Sequence, residues 1–233
     1  MKEYIKESNK RLLKEWKEWF LFKRIPFTIL KPFNSNIQIP KIISIIEKSL
    51  KDRKYLSYLE GVYVGDLPQL KNRNIQAMFN DGVIYVSNFS GDSNITEERI
   101  AKDIVHEVGH LLEYVFGMEI YADSSIEQEF IGKRQRLYDI LAYDGVRLNR
   151  RLFLSTTEYS SQIDDFLYKE IGYAKLSSLI LGLFLSPYCV TSLSEYFANG
   201  FEKYQTGDIN YLRSISPVLF SKLEMLDGLV KES

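Results

Sequence analysis

Histidine and cysteine are nearly missing from this chain: it has two of the first and one of the second, Cys189. A single cysteine excludes an intrachain disulfide framework and fits a reducing compartment. Two histidines exclude any metal site built from three imidazoles. No sign of charge dominates. The formal net charge of -1 speaks against a nucleic-acid partner and against an acidic solvating tail. Long apolar runs are also lacking. The richest window, Leu176 to Val190, is interrupted by Gly182 and Pro187 and falls short of the roughly 20 residues that a bilayer crossing requires. No membrane span is expected. Met1 to Phe22 is rich in Lys and Glu and has no apolar stretch of signal-peptide length. The expected location is therefore cytoplasmic, with secretion by a non-classical route as the alternative.

What remains is ordinary globular material. Of 233 residues, 45% are hydrophobic and 26% charged, enough for one substantial core or two small ones. Residues 3–22 place Leu12, Leu13, Trp16, Trp19 and Phe20 at roughly helical spacing. Pro26 and Pro32 interrupt the chain, and Pro40 can start a helix carrying Ile42, Ile43, Ile45, Ile46 and Leu50. Gly61 to Gly65 reads as a short strand. Ile75 to Phe79 and Val83 to Ser87 read as a hairpin around Asn80-Asp81-Gly82. From Thr96, a plausible N-cap, the pattern turns helical. Ile100, Ile104, Val108, Leu111, Leu112 and Val115 form an apolar stripe that Gly117 can end. Further helices are expected near 125–143, 161–172, 174–186, 192–205 and 209–230. The class is α+β and mostly helical, with a small sheet before the long helix. Residues 1–60 are expected to form a mainly helical N-terminal subdomain and 61–233 the principal domain.

His106-Glu107-Val108-Gly109-His110 is an H-E-x-x-H pattern inside a predicted helix. Residues four apart lie about 40° apart around a helix axis, so both imidazoles can reach one ion. Glu107 lies on a neighbouring face, placed to take a proton from a water rather than to bind the metal. That set of two ligands, an open position and a base is what a zinc hydrolase needs. The bland alternative is a chance pair of histidines on a helix surface. Both histidines of the chain fall in the motif, which favours the functional reading. A third ligand must then be Asp, Glu, Cys or Tyr. The metzincin extension fails, because Glu113 stands where its glycine would be and Phe116 where its third histidine would be. Glu195 is one candidate, since the aromatics and alanine after it suggest a packed helix. Ser192-Leu193-Ser194-Glu195 equally fits a capping box in which Glu195 only caps its own helix. In that case Glu119, Asp123 or Glu202 come into consideration.

These residues resemble the anthrax lethal factor catalytic domain and the related clostridial Pro-Pro endopeptidases. That family is similar in its H-E-x-G-H helix, matched here by Gly109, and in a later glutamate followed by aromatics and alanine, matched by Glu195-Tyr196-Phe197-Ala198. A tyrosine seven residues before that glutamate matches Tyr188. The resemblance covers roughly residues 60–205. It implies a zincin-like metallopeptidase fold over 61–233 and one Zn2+ per chain on His106, His110 and Glu195. It further implies Glu107 as base, Tyr188 as oxyanion donor and a peptide or protein as substrate. The strand Val83-Ile84-Tyr85-Val86 resembles the one that borders the family's substrate cleft. There are departures. The stretch from His110 to Glu195 is longer than the family's and implies an inserted helical segment near 125–165. Asn199 replaces a second acidic residue. Tyr188 is also open to a plain packing role among 16 tyrosines. Two other readings stand beside this one. One is a cytoplasmic regulatory peptidase of the ImmA/IrrE type, which shares the H-E-x-G-H helix. The other is a non-catalytic binding protein on a peptidase fold, against which the intact Glu107 argues.

Overall fold

In the computed structural model, which describes residues 18–33, 36–50, 52–68, 70, 75–88 and 95–232, a mixed five-stranded sheet precedes a long helix and a series of further helices. The chain divides into two compact units, Met1–Leu111 and Leu112–Ser233.

In the first unit, β1 (Glu18–Leu21) and β2 (Ile25–Ile29) pair antiparallel. Phe22 and Lys23, both at positive φ, make the turn between them. The helix expected over 3–22 is thus corrected at its end: Trp19 and Phe20 belong to a strand. A short aromatic-rich segment satisfies either period, and the turn behind it supplies a pairing partner that overrides helix propensity. Residues 3–17 lie outside the described ones. β2 runs parallel to β3 (Gly61–Gly65), and parallel neighbours need a crossover. α1 (Ile39–Leu50) provides it, with Ile42, Ile46 and Leu50 fully buried one turn apart. Burying each such side chain is worth about 1.5–3 kcal/mol. Residues on both sides of position 60 therefore meet in one sheet.

β3 also pairs parallel with β5 (Val83–Ser87), which pairs antiparallel with β4 (Ala77–Asn80). The expected hairpin forms with Asp81 and Gly82 at φ of 45° and 80°, the two positive values that a tight two-residue turn requires. The strand order is β1-β2-β3-β5-β4. This corrects the expected role of Val83–Val86 as the cleft-bordering strand. Both sides of β5 are already paired, and the edges among the described residues are β1 and β4.

α2 (Glu97–Tyr121) starts where expected, with Thr96 Oγ1 accepting from the Arg99 amide at 3.2 Å. Ile100, Ile104, Val108, Leu111 and Leu112 are buried along one face. Gly117 does not end it. The helix bends at Phe116 (φ -112°, ψ 23°) and continues to Tyr121.

The second unit is helical. α3 (Ser125–Tyr143), α4 (Arg150–Leu154) and α5 (Ser161–Asp165) follow α2, and α5 widens into a π-helical turn over Phe166–Ile171. α6 is only Tyr173–Leu179. The helix expected over 174–186 stops short because the chain turns through Gly182 at φ 73° and reaches Pro187. A 3-10 turn, Tyr188–Val190, leads to α7 (Leu193–Thr206). The single helix expected over 209–230 is two, α8 (Ile209–Ile215) and α9 (Pro217–Glu232). Pro217 has no N–H to continue α8 but suits the first turn of α9. Glu129 caps that second start, accepting from the Val218 and Leu219 amides at 3.0 and 3.1 Å.

Two cations on α3 are buried. Lys133 Nζ donates to the Leu183 and Ile215 carbonyls and to Ser216 Oγ. Arg134, with no exposed surface, donates to the carbonyls of Phe153, Thr156, Val190 and Thr191. No helix among the described residues is long and apolar enough to cross a membrane.

Candidate metal centre

The apolar face of α2 fixes the roll of the helix, and that roll sets where the intervening polar residues point. His106 and His110 are half-buried, with ring centroids 4.9 Å apart and planes inclined at 76°. Glu195, also half-buried, adds its carboxylate. One ligand atom from each of the three lies within 4.8 Å of the others. Ligand atoms about 2.0–2.1 Å from a tetrahedral ion sit about 3.4 Å apart, so modest side-chain rotation closes the group on a metal. Two imidazoles and one carboxylate suit a divalent first-row ion. The residues therefore fit the ion that the motif implies.

Glu195 owes its place to its neighbours on α7. Tyr196, Phe197 and Ala198 have no exposed surface. The Tyr196 ring packs 5.5 Å from Phe130 and 5.9 Å from Phe184, and its hydroxyl donates to Glu129 at 2.7 Å. A helix pinned by a large hydrogen-bonded ring resists rolling, so the preceding residue, Glu195, is held in direction. Half of the expected capping box also forms. Ser192 Oγ accepts from the Glu195 amide at 3.1 Å, while the Glu195 carboxylate lies with the imidazoles. The cap and the metal-capable group thus engage different atoms of one residue. The other candidate Asp123 is engaged elsewhere: Lys222 at 2.9 Å and Ser125 hold its carboxyl down at about 2.

Glu107 is 9% exposed, and its Oε2 accepts from the Phe79 amide at 2.7 Å. Tyr188 sits in the 3-10 turn ahead of α7, about a third exposed. Burial first, and then the charge of Glu195, push its phenol well above the usual tyrosine range. It therefore keeps its proton at neutral pH. Asn199 donates to the Glu195 carbonyl at 2.9 Å and accepts from Ser186 at 3.0 Å, so it ties the helix to the preceding loop.

Sequence reasoning missed Glu113. It accepts from the Tyr121 hydroxyl at 2.5 Å and from Ser194 Oγ at 2.6 Å, which anchors the residue just before Glu195. The signal was present, because Glu113 lies two helical turns beyond His106 and so on the same face of α2. It was noted only as the residue replacing a metzincin glycine.

The metal assignment has a direct check. His106→Ala or His110→Ala should each abolish stoichiometric metal binding, read by elemental analysis after dialysis. Full occupancy in either variant rules the site out. Set against known proteins, the chain matches no family model, no curated protein and no solved structure.

Proposed function

We propose that this protein is a zinc-dependent endopeptidase of zincin-like fold, holding one zinc per chain on His106, His110 and Glu195. The observation that carries this reading is the arrival of Glu195. Two histidines on one helix are common enough. A carboxylate from a distant helix within 4.8 Å of both, beside a glutamate one residue along from the first histidine, is the specific combination.

Held by His106, His110 and Glu195, a zinc ion would supply Lewis acidity and the means to activate water near neutral pH. The protein's own groups do the rest. Glu107 takes a proton from the attacking water as its oxygen bonds to the scissile carbonyl carbon. It then delivers that proton to the amine nitrogen as the carbon–nitrogen bond breaks. Tyr188, protonated, donates to the carbonyl oxygen as negative charge develops on it. His106, His110 and Glu195 stay fixed throughout, on helices whose buried faces prevent rotation.

The Tyr188 assignment separates a lethal factor-like enzyme from one of the ImmA/IrrE type. Tyr188→Phe keeps the ring and removes only the hydroxyl. Zinc content and KM should stay near wild type while single-turnover cleavage falls about 100-fold, the usual loss for one oxyanion donor. A rate within about twofold of wild type, far short of that loss, assigns Tyr188 to packing and removes the main support for the lethal factor-like reading. The proposal as a whole is tested by screening a peptide library with and without chelator. Cleavage that disappears on chelation and returns with zinc supports it. A zinc-loaded protein that cleaves nothing points instead to a binding protein on a peptidase fold.

A further inference from the structure

We infer that the backbone amide of Phe79, on the edge strand β4, is the positioning group for the base Glu107. The inference rests on the proposed function for its catalytic meaning and on the fold alone for its geometry. In the β4–β5 ladder, Ser87 donates to the Gln76 carbonyl at 2.8 Å, and the register pairs Met78 with Tyr85 and Asn80 with Val83. Hydrogen-bonded pairs alternate along an antiparallel ladder. Residues 76, 78 and 80 therefore bond inward to β5, and the amide of Phe79 points away from it, off the edge of the sheet. Left alone, an outward amide on an edge strand faces solvent. Here it meets Glu107 Oε2 at 2.7 Å, the length of a charge-assisted bond. Glu107 is itself almost fully buried.

A carboxylate has two oxygens and several rotamers. Tying Oε2 to a main-chain donor selects one rotamer and so fixes where the carboxylate presents its base. The donor is backbone within a five-stranded sheet, so it does not swing as a side-chain partner would. The hairpin next to the helix thereby acquires a function: its tight turn fixes the register, the register turns the Phe79 amide outward, and the amide aims the base. Because the amide is engaged by Glu107, a peptide laid along β4 finds this donor already used.

Two variants and one exchange measurement test the inference. Proline lacks the N–H and is tolerated on an edge strand where that N–H faces outward, so Phe79→Pro deletes the donor and spares the ladder. Phe79→Ala deletes the ring and keeps the donor. Phe79→Pro should lower kcat about 100-fold, the scale of a small misplacement of a reacting group, with KM and zinc content near wild type. Phe79→Ala should keep kcat. Equal losses in both variants would assign the effect to the ring and overturn the inference.

Amide exchange gives a readout that needs no activity. In the metal-free and the zinc-loaded protein alike, the Phe79 amide should be protected. Glu107→Ala should speed its exchange at least tenfold, while the Met78 and Asn80 amides, bonded into the ladder, stay unchanged. Exchange at Phe79 that ignores Glu107→Ala overturns the inference even if Phe79→Pro fails to fold. If the wild type cleaves no peptide, the proposed function falls, and the exchange result alone decides whether the amide holds Glu107.

Discussion

Glu107→Gln should leave the protein folded and fully loaded with zinc, yet cut single-turnover peptide hydrolysis by about 100- to 10,000-fold, the range general base catalysis contributes. The substitution is close to isosteric. The glutamine carbonyl can still accept from the Phe79 amide, now bonded to Oε2 at 2.7 Å, so the β4 contact survives. What disappears is the basicity of the carboxylate. Zinc content is the discriminating control. His106, His110 and Glu195 form the metal-capable group without Glu107, so loss of zinc in Glu107→Gln would mean that the base is a ligand after all. A rate within about tenfold of wild type, below the contribution of a general base, would mean that some other group moves the proton.

The parts of this site that were readable from sequence are those written in local spacing. The H-E-x-x-H repeat places both imidazoles on one face whatever the rest of the fold does. The Asn80-Asp81-Gly82 turn announces its hairpin, because few residues other than Gly and Asp accept positive φ. Thr96 and the acids after it mark the start of α2 in the same way. Glu195 was readable only as one of two possibilities, because a capping box and a metal ligand make the same local pattern. In the structure its amide donates to Ser192 while its carboxylate lies with the two histidines in a group that could hold a metal.

What could not be read depends on partners far along the chain. Trp19 and Phe20 sit in a strand because β2 lies beside them, and no window around residue 20 contains that fact. The contact between Phe79 and Glu107 requires the ladder register and the roll of α2 together. The break at Pro217 was visible in principle. The apolar pattern runs straight across it, and the missing N–H was outweighed by periodicity. Glu113 and Ser194 meet at 2.6 Å across a long stretch of sequence, and neither residue type signals the other.

The largest stability effect should come from a residue outside the motif. Arg134→Met is expected to cost about 4 kcal/mol or more, because each buried carbonyl left without a donor costs about 1–3 kcal/mol. The Arg134 guanidinium uses all five of its N–H donors, reaching the carbonyls of Phe153, Thr156, Val190 and Thr191 at 2.6 to 3.1 Å. It packs against the Phe130 and Phe153 rings, 4.7 and 5.2 Å from their centres. Burial lowers its pKa to about 10, which still leaves it charged at neutral pH. Methionine replaces the apolar stem and none of the donors, so the carbonyls of Phe153, Val190 and Thr191 stay buried and unmet. Arg134→Lys should recover only part of the loss, since an ammonium has three donors and no planar fork. Urea denaturation with an unchanged m-value reads the difference. A cost under about 0.5 kcal/mol, typical of a surface change, would show that the carbonyls find other donors. The consequence reaches the metal. Val190 and Thr191 come just before the Ser192 cap of α7, so the same guanidinium that holds the 153–156 segment also fixes where the Glu195 helix begins. Zinc affinity of the folded fraction should therefore drop about 10- to 100-fold, as for other groups that orient a ligand from behind. Lower stability with undiminished zinc affinity would make Arg134 a core residue only, and would leave the start of the Glu195 helix to Tyr196, Ser192, Ser194 and Asn199.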